Sequence, residues 1–373
     1  MKKTKYIFIS IFLVFIFVFA VLLAALPKKD YSENEKRVLS LFPSFSVEAL
    51  FDGTWFKDIE TFVSDQFPFR DTFVGINSYF NLITGRNGAS GVYKCDEGYL
   101  IADPDEIDLN RTQRNGEIIS EFVKTSGLPA TLIVVPTPGY IMEDVLPANH
   151  KEYHDDEIFE YAENVDGVKL LDLREVFMTN KDSSQLYFKT DHHLTTEGSY
   201  LMYKQFCEYK GLTPVTEFTK TEVLEDFYGT NYSKSGLWLE KPDTVEIRHS
   251  ANGYEYEVTV DDISEKKTYD SLYFYEHDEN MDKYPVFLNG NHALVTIKNK
   301  SVTNGQKLLV VKDSYSHCFA TFLCENYEEI YLVDLRYFRL STTELIEANG
   351  ITELLFLYGA ENYANMSDIS WLR

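Results

Sequence analysis

The chain is short of positive charge. It carries 35 lysines and arginines against 59 aspartates and glutamates, which leaves a formal net charge of -24. Nucleic-acid binding depends on a basic stripe that neutralises phosphates, and none is visible, so we predict no nucleic-acid partner. The same acidity disfavours tight electrostatic docking on anionic lipid or on a highly anionic polymer, although a local basic cleft would override the average.

Cysteine is also scarce. The four residues are Cys95, Cys207, Cys318 and Cys324, and their spacing resembles no zinc site. Cys318 and Cys324 lie on roughly opposite faces of one predicted helix and should not pair with each other. An exported domain could oxidise the cysteines in three possible pairings, but we interpret all four as buried thiols. Internal repeats and low-complexity tracts are absent as well, which speaks against a repeat architecture.

One long apolar segment lies at the N-terminus. Three lysines within the first five residues precede an uncharged run from Tyr6 to Leu26, and Lys28 and Lys29 follow it. About 20 apolar residues are enough to cross the hydrocarbon layer as a helix. The first lysines favour a cytoplasmic N-terminus, although Lys28 and Lys29 weaken the asymmetry.

We therefore predict that residues 1–27 form a cytoplasmic tip and an uncleaved transmembrane anchor, with the rest of the chain outside the cytoplasm. A cleaved signal peptide is the alternative. It is disfavoured because the run is longer than a usual signal core and Ala24-Ala25-Leu26 is a poor cleavage site. A lipoprotein is disfavoured because no cysteine directly follows the run.

Two regions follow the predicted anchor. Residues 28–110 are predicted to form a membrane-proximal region of two helices, separated at Pro68, and a small hairpin. Residues 111–373 are predicted to form an α/β domain, because short apolar runs alternate with helical segments, as is typical of a parallel sheet covered on both faces. Residues from about 213 to 300 alternate polar and apolar side chains and are predicted to form an antiparallel insertion beside the sheet. The five apolar runs are 130–135, 168–173, 307–311, 329–334 and 353–358.

Ser314 is a candidate nucleophile. It comes two residues after Lys312, which closes the third apolar run, and before an amphipathic segment, so it lies at a predicted strand-to-helix elbow. Such a serine projects at the sheet edge, with its own amide and a helix N-terminus nearby to stabilise an oxyanion. The alternative is that Asp313 or Ser314 only caps the helix, which is common.

Asp191 and His193 are a candidate acid and base. In a turning segment, residues two apart can point the same way, so the carboxylate can hold one ring nitrogen and leave the other for a hydroxyl. His192 could instead be the base, or could bind a metal together with Asp191. His317, one helical turn after Ser314, is a further rival base. A polar turn whose histidines bond backbone carbonyls is the structural alternative.

Several blocks together resemble the bacterial DHHW protein family, over nearly all of the chain after the apolar segment. The blocks are Asp65-Gln66-Phe67-Pro68-Phe69-Arg70, Glu97-Gly98-Tyr99-Leu100, Thr190-Asp191-His192-His193, Glu197-Gly198-Ser199-Tyr200, Lys312-Asp313-Ser314-Tyr315-Ser316-His317 and Val333-Asp334-Leu335-Arg336-Tyr337.

The resemblance implies an SGNH-hydrolase-like, three-layer α/β fold related to the alginate O-acetylation proteins of the cell envelope. It also implies a triad of Asp191, His193 and Ser314. Two positions depart from the pattern: Leu194 stands where the family name has tryptophan, and Lys312 stands where a Gly-Asp-Ser block would have glycine. The tryptophan could shape a sugar-facing wall, so its absence bears on substrate contact more than on the triad.

Further candidates concern the oxyanion and the substrate. The resemblance to the alginate proteins places a proline-containing loop at Pro136-Thr137-Pro138, so we first consider Thr137 and Gly139 as oxyanion donors. Asn289 is a weaker candidate, and His192 is a candidate for substrate contact.

The functional hypothesis is an extracytoplasmic, membrane-anchored carbohydrate O-acetyltransferase or O-acyl esterase acting on a cell-envelope polysaccharide, without cofactor or metal. By resemblance, a membrane-bound O-acyltransferase partner would supply the acyl group. The alternative is a non-catalytic carbohydrate-binding or scaffolding envelope protein, which Leu194 and Lys312 favour. A third possibility, metal-dependent phosphoester hydrolysis through Asp191 and His192, needs more ligands than the sequence nominates.

Overall fold

The structure, a computed structural model, describes residues 2–262 and 265–372. The chain divides into two compact units. The smaller unit comprises the residues up to Ser90 together with Tyr232–Leu239. The larger unit comprises Gly91–Asn231 and the residues from Glu240 onward.

The smaller unit begins with helix α1 (Lys2–Ala25). Among the described residues, its stretch Thr4–Ala25 is long and apolar enough to cross a membrane, a test of length and composition that a signal sequence also passes. The predicted helix break at Pro68 is confirmed, because it falls between α3 and α4. The further elements are β1 (Tyr31–Ser32), β2 (Arg37–Val38), α2 (Val47–Asp52), α3 (Thr54–Asp65), α4 (Arg70–Ile83) and β3 (Gly88–Ala89).

The rest of the chain supplies the other strands and helices. The strands are β4 (Val92–Lys94), β5 (Leu100–Ala102), β6 (Ala130–Val135), β7 (Lys169–Asp172), β8 (Phe218–Phe227), β9 (Asp243–Ser250), β10 (Tyr256–Asp261), β11 (Lys266–Tyr269), β12 (Leu294–Asn299), β13 (Lys307–Lys312), β14 (Glu329–Val333) and β15 (Glu353–Gly359). The helices are α5 (Leu109–Ser126), α6 (Pro138–Ile141), α7 (Asp155–Glu163), α8 (Arg174–Asn180), α9 (Thr196–Lys210), α10 (Thr230–Ser235), α11 (Ser316–Leu323), α12 (Thr342–Asn349) and α13 (Ala360–Asn365). Short 3-10 turns lie at Asp96–Gly98, Glu143–Val145, Tyr275–Glu279, Tyr284–Val286 and Asp368–Trp371.

An eight-stranded mixed sheet forms the centre of the larger unit, in the order β11-β10-β12-β14-β13-β15-β6-β7. The strands from β14 to β7 in this order run parallel to one another. The three strands at the other end are antiparallel. The prediction of an α/β fold with a large sheet is therefore confirmed, and all five predicted apolar runs lie in the parallel part.

The parallel strands are mostly apolar because both faces of the sheet are covered. Leu308 and Val310 of β13 pack into a core with residues of α9 and α11. Leu309 and Val311 pack into a second core with residues of α5, α7 and α13. Successive side chains of a strand point to opposite faces, so a strand between two cores is apolar on both of its faces.

The predicted antiparallel insertion has two parts. Strands β8 and β9 pair with each other as a separate ribbon. Strands β10, β11 and β12 instead extend the main sheet from β14, so this part lies within the sheet and not beside it. The polar–apolar alternation fits this position, because in β12 Val295 and Ile297 are buried while Thr296 and Lys298 between and after them are not.

All four cysteines are buried, and none is paired within the described residues. The prediction of four buried thiols is confirmed.

Truncating a core residue should destabilise the larger unit. Phe356 of β15 is fully buried, and its ring contacts Phe122 of α5 edge-on at 6.5 Å. We expect Phe356→Ala to lower the free energy of unfolding by about 3–5 kcal/mol, through lost burial and the cavity left behind. The matched control is Leu340→Ala, at a residue that is 58% exposed, which should change it by about 0.5 kcal/mol or less. Urea unfolding followed by fluorescence measures both, and equal midpoints would contradict the assignment of the core.

Candidate active site

Ser314 lies in an elbow between strand and helix. Strand β13 ends at Lys312 and helix α11 begins at Ser316. The carbonyl oxygen of Asp313 closes the turn by accepting hydrogen bonds from the Ser316 N–H at 3.3 Å and from the Ser316 hydroxyl at 2.9 Å. Ser314 itself is half-buried. The elbow therefore places its side chain at the carboxyl edge of the parallel strands, where sites in open α/β sheets form.

The side chain of Asp313 ties this elbow to the neighbouring strand. One carboxylate oxygen accepts from the Gly359 N–H at 2.8 Å and from Asn362 Nδ2 at 2.7 Å. The other oxygen accepts from the Tyr315 N–H at 3.0 Å. Burial raises the pKa of Asp313, and the hydrogen bonds from Asn362 and Gly359 oppose that shift. The elbow is thus fixed against the end of β15.

The predicted acid and base lie on a closed loop before helix α9. The Phe188 N–H donates to the carbonyl of His193 at 3.1 Å, and the Thr195 N–H donates to the carbonyl of Leu186 at 2.8 Å. These bonds form a short hairpin. Thr195 Oγ1 then accepts from the Gly198 N–H at 3.1 Å and caps α9.

Backbone donors hold the Asp191 carboxylate, which is 2% exposed. Its Oδ1 accepts from the His193 N–H at 2.9 Å, and its Oδ2 accepts from the Thr230 N–H at 2.6 Å. Gly229 passes so close that a Cβ added to it would lie 2.2 Å from Asp191 Cβ. Only glycine fits at that position without a shift of the carboxylate.

Asp191, His193 and Ser314 form one chain of hydrogen bonds. His193 Nδ1 lies 2.5 Å from Asp191 Oδ1, and His193 Nε2 lies 2.7 Å from Ser314 Oγ. A carboxylate that holds Nδ1–H leaves Nε2 free to accept a proton from a hydroxyl. Both distances are within the reach that general-base catalysis requires.

Two tyrosines enclose the His193 ring. Tyr284 stacks on it with ring centroids 3.9 Å and planes 12° apart, and its hydroxyl donates to the carbonyl of Ser314 at 3.0 Å. The Tyr315 ring lies 5.4 Å from His193, and its hydroxyl donates to the carbonyl of His192 at 2.9 Å. Burial holds the pKa of both tyrosines well above the ordinary value, so both remain donors. Tyr284 was not predicted, because one tyrosine among 26 carries no distinguishing pattern.

The DHHW protein family matches this chain over residues 35–128 and 155–333, which include the Asp191–His193 loop and Ser314. The chain belongs to the DHHW family. A solved structure of a DHHW family protein from Eubacterium siraeum is 26% identical, with a TM-score of 0.64, and the match covers 76% of this chain and 95% of that chain.

Two further solved structures have a similar fold. Bacillus cereus PatB1 with a sulfonyl adduct is 18% identical, with a TM-score of 0.63, over 76% of this chain and 98% of that chain. The O-acetyltransferase domain of Pseudomonas putida AlgJ is 14% identical, with a TM-score of 0.50, over 76% of this chain and 95% of that chain. No curated protein matches this chain.

Asp243 supports the Asp191–His193 loop through the two residues that precede it. Its Oδ2 accepts from the N–H and the hydroxyl of Thr190, both at 2.7 Å, and its Oδ1 accepts from the Lys189 N–H at 2.9 Å. Burial raises the pKa of Asp243, and the hydrogen bond from the Thr190 hydroxyl opposes the shift. Sequence reasoning missed this residue, because it lies in the segment assigned to the insertion and no motif marks it.

His192 lies beside the hydrogen-bond chain. Its ring centroid is 3.9 Å from that of His193, and its Nδ1 is 3.4 Å from Asp191 Oδ1. Asp191, His192 and His193 each offer a ligand atom within 4.8 Å of the others, which makes them a candidate metal group among the described residues. Both ring nitrogens of His193 already have partners, so a metal ion at His193 would have to replace one of those hydrogen bonds.

Lys312, which departs from the Gly-Asp-Ser pattern, is buried beneath the elbow. Its Nζ lies 2.8 Å from His317 Nε2 and 3.4 Å from Asp334 Oδ2. Burial lowers the pKa of Lys312, and the charge of Asp334 opposes the shift. Asp334 also accepts from Arg336 Nη2 at 2.6 Å. Although burial acts against it, this bond from Arg336 and the charge of Lys312 hold the pKa of Asp334 below the ordinary value.

The contact with Lys312 occupies Nε2 of His317, the rival base of the sequence analysis. The ring is 1% exposed and turns its Nε2 toward Lys312. Burial, followed by the charge of Lys312, holds the pKa of His317 well below the ordinary value, so the ring is neutral. The imidazole that contacts the Ser314 hydroxyl is that of His193.

Thr137 and Gly139, the first oxyanion candidates, make structural contacts in the segment after β6. The N–H and the hydroxyl of Thr137 both donate to the carboxylate of Asp155 at 2.7 Å. The Tyr153 ring lies over Gly139, so a Cβ there would come within 1.9 Å of the ring. The Thr137 amide is therefore already engaged, and packing against Tyr153 accounts for the glycine.

Asn289 lies at the same edge of the sheet as Ser314. Strand β12 is antiparallel to β14, and Leu294 at its start pairs with Val333 at the carboxyl end of β14. The loop before β12 therefore lies at the carboxyl edge of the parallel strands. In that loop, Asn289 Oδ1 is 2.7 Å from His277 Nε2, which leaves the side-chain nitrogen as a donor.

Leu194, the other departure from the family name, is a core residue. It is 1% exposed and pairs with Tyr187 across the hairpin. A Cβ added at Gly198 would lie 3.1 Å from its Cδ2, so helix α9 packs closely on it. The residue at position 194 therefore shapes the packing beneath the loop, and it does not form a wall that faces a substrate.

The buried carboxyl of Asp155 should make stability depend on pH. Burial raises its pKa to about 6 from an ordinary 3.8, while the hydrogen bonds from Thr137 oppose the shift. Because the folded pKa is the higher one, its contribution is fully present below about pH 4 and is lost as the pH rises toward 6. We expect a loss of roughly 3 kcal/mol in the free energy of unfolding across that window.

Urea unfolding at pH 4 and pH 7 measures this dependence. The stability difference between the wild type and Asp155→Asn should shift in favour of the variant as the pH rises. The control is Asp182→Asn at an exposed carboxylate, which should leave the wild-type dependence in place. An unchanged difference between wild type and Asp155→Asn at the two pH values would contradict the raised pKa.

Proposed function

We propose that this DHHW protein is an O-acetyltransferase or O-acyl esterase that acts on a cell-envelope polysaccharide with Ser314, His193 and Asp191 as its triad. The observation that carries the proposal is the hydrogen-bond chain from Asp191 through His193 to Ser314 Oγ, at 2.5 and 2.7 Å. Two further facts support it: the fold is similar to the O-acetyltransferase domain of AlgJ, and the similar PatB1 carries a sulfonyl adduct. In this proposal the larger unit has the three-layer arrangement of SGNH-type hydrolases.

The proposed reaction has two steps. Ser314 Oγ attacks the acyl carbonyl while His193 Nε2 takes its proton, and the same proton then passes to the leaving alcohol as the acyl–oxygen bond breaks. In the second step, a water molecule or a sugar hydroxyl gives its proton to His193 Nε2 and attacks the acyl-serine carbonyl. The bond between the acyl carbon and Ser314 Oγ then breaks, and His193 returns the proton to Ser314 Oγ. Asp191 stays ionised throughout and orients His193.

The oxyanion formed in each step needs donors. The Ser314 N–H is the first candidate, because it donates to no other group in the described part of the chain. The side-chain nitrogen of Asn289 is the second, since its loop lies at the same edge of the sheet. Thr137 is less suited, because its N–H is held by Asp155.

In the same proposal, α1 anchors the protein in the membrane, with the N-terminus inside and the remaining chain at the extracytoplasmic face. A membrane-bound O-acyltransferase would hand the acyl group to Ser314. The net charge of -24 favours a neutral glycan over a polyanionic one as acceptor.

Removing the triad groups should abolish ester cleavage. We expect Ser314→Ala and His193→Ala each to lower kcat/KM for p-nitrophenyl acetate by at least ~10³-fold, because each removes a group that acts in the transition state. A sulfonyl fluoride should label the wild type at Ser314 and should not label Ser314→Ala, as intact mass and peptide mapping will measure. Transfer is tested by adding neutral oligosaccharides and looking for the mass gain of one acetyl group.

Matched controls are Ser370→Ala, at an exposed serine, and His154→Ala, at a partly exposed histidine. Both should retain the wild-type rate. Equal rates for all variants, with no labelling, would reject the triad and favour the non-catalytic carbohydrate-binding protein. Loss of activity on chelation, restored by one divalent metal, would instead favour the metal group at Asp191, His192 and His193.

A second prediction concerns the position of Asp191. Gly229→Ala adds a methyl group that would lie 2.2 Å from Asp191 Cβ and 2.6 Å from Asp191 Oδ2, so the Asp191 side chain must shift from the position in which it bonds His193. We expect sulfonyl labelling of Ser314 to slow by about tenfold or more, while the protein stays folded. The control is Gly127→Ala, where the space around the added Cβ is open and the positive φ of 65° strains the backbone, so it separates backbone strain from the contact with Asp191. Unchanged labelling of Gly229→Ala would show that the orientation of Asp191 does not govern the nucleophile.

A further inference from the structure

Helix α4 turns an apolar stripe away from its own unit. Phe73, Ile76, Phe80 and Ile83 recur at spacings of three and four residues, so they share one face of the helix. They are 39%, 60%, 59% and 84% exposed. Phe69, immediately before the helix, continues the stripe and is 62% exposed. We call these five residues the α4 stripe.

The opposite face of α4 is the packed one, and its residues are small. A Cβ added to Gly75 would lie 2.7 Å from the Trp238 ring, and the Ser78 hydroxyl donates to the carbonyl of Ser235 at 2.7 Å. An amphipathic helix on a soluble domain turns its large apolar residues inward. Scattered exposed apolar residues are ordinary, but a contiguous stripe marks an interaction surface.

The stripe begins where the apolar helix α1 touches it. The Phe19 ring of α1 stacks on Phe67 at 5.1 Å and meets the edge of Phe73 at 5.8 Å. Gln66 secures this contact, because its Nε2 donates to the Lys29 carbonyl at 2.9 Å and its Oε1 accepts from the Lys29 N–H at 3.1 Å. The stripe is therefore continuous with the segment that is apolar enough to cross a membrane.

The position of the Phe19–Phe73 contact along α1 indicates what covers the α4 stripe. Phe19 lies six residues before Ala25, the end of α1, which is about 9 Å along the helix axis. A helix of 24 residues is about 36 Å long, against a hydrocarbon core of about 30 Å. When α1 spans the bilayer, Phe19 lies below the hydrocarbon boundary, and Phe73, which contacts it, lies near the same level.

We propose that α4 lies in the bilayer interface, with the α4 stripe among the acyl chains of the leaflet from which α1 emerges. Interfacial helices bury their apolar face by about 5–10 Å, which matches the level of Phe73. No charged residue lies between Thr72 and Gly85 to oppose insertion. The proposal rests on the membrane anchor of the proposed function and is independent of the acyl-transfer chemistry.

The test uses the full chain, one copy per lipid nanodisc, with single cysteines introduced as Ile76→Cys or Ile83→Cys and labelled with an environment-sensitive fluorophore. The control is Leu239→Cys in the same unit. Leu239 matches Ile83 in exposure, at 80% against 84%. It lies outside the α4 stripe, where its N–H donates to the Tyr79 hydroxyl. The native thiols should stay unlabelled, because they are buried and burial raises the pKa of Cys207 to about 11 and of Cys95 to about 12.

Nitroxide-bearing lipids should quench the probes at positions 76 and 83, and aqueous iodide should quench the probe at 239. Iodide quenching at 76 and 83 equal to that at 239 would overturn the proposal. Shielding of 76 and 83 from both quenchers would also overturn it, in favour of a protein surface that covers the stripe. If the chain does not stay in the nanodisc, α1 is not a membrane anchor, and the proposal is overturned. Ester cleavage in the same sample still tests the triad separately.

Discussion

A carboxylate that is withdrawn from water must be surrounded by donors, and the loops at the carboxyl edge of the sheet depend on this constraint. Asp313, Asp243 and Asp191 are buried, and each accepts at least three hydrogen bonds. Asp313 joins the elbow to β15, Asp243 holds Lys189 and Thr190 in the loop of the hairpin, and Asp191 bonds the backbone and the ring of His193. Each aspartate bonds donors from more than one residue, so one carboxylate positions several groups at once.

Below this edge, the side chains form layers. The Tyr284 ring lies between His193, at 3.9 Å, and His317, at 6.0 Å. His317 in turn contacts Lys312, whose charge is compensated by Asp334. The lysine that stands where a Gly-Asp-Ser block would have glycine thus belongs to a buried polar network beneath the elbow of Ser314.

Much of the fold could be predicted because each strand is visible as a pattern of residues adjacent in the chain. A strand between two cores is apolar on both of its faces, so β6, β7, β13, β14 and β15 are visible as short, largely apolar runs. The strands β10 to β12 carry the weaker alternating pattern of a sheet with one covered face, which does not reveal whether they join the main sheet or stand beside it. Leu194 illustrates the same limit. Its burial beneath the hairpin cannot be predicted from the residues next to it in the sequence.

The sequence by itself determined the apolar N-terminal helix and the parallel strands. It also predicted, beside alternatives, the elbow at Ser314 and the pairing of Asp191 with His193, since each depends on residues close together in the chain. Only the tertiary structure decided the contact of His193 with Ser314, the support from Asp243 and Tyr284, and the engagement of Thr137 and His317 elsewhere. These contacts join residues far apart in sequence. Their geometry follows from how the sheet orders its strands and how buried charges find donors, and no short motif encodes either.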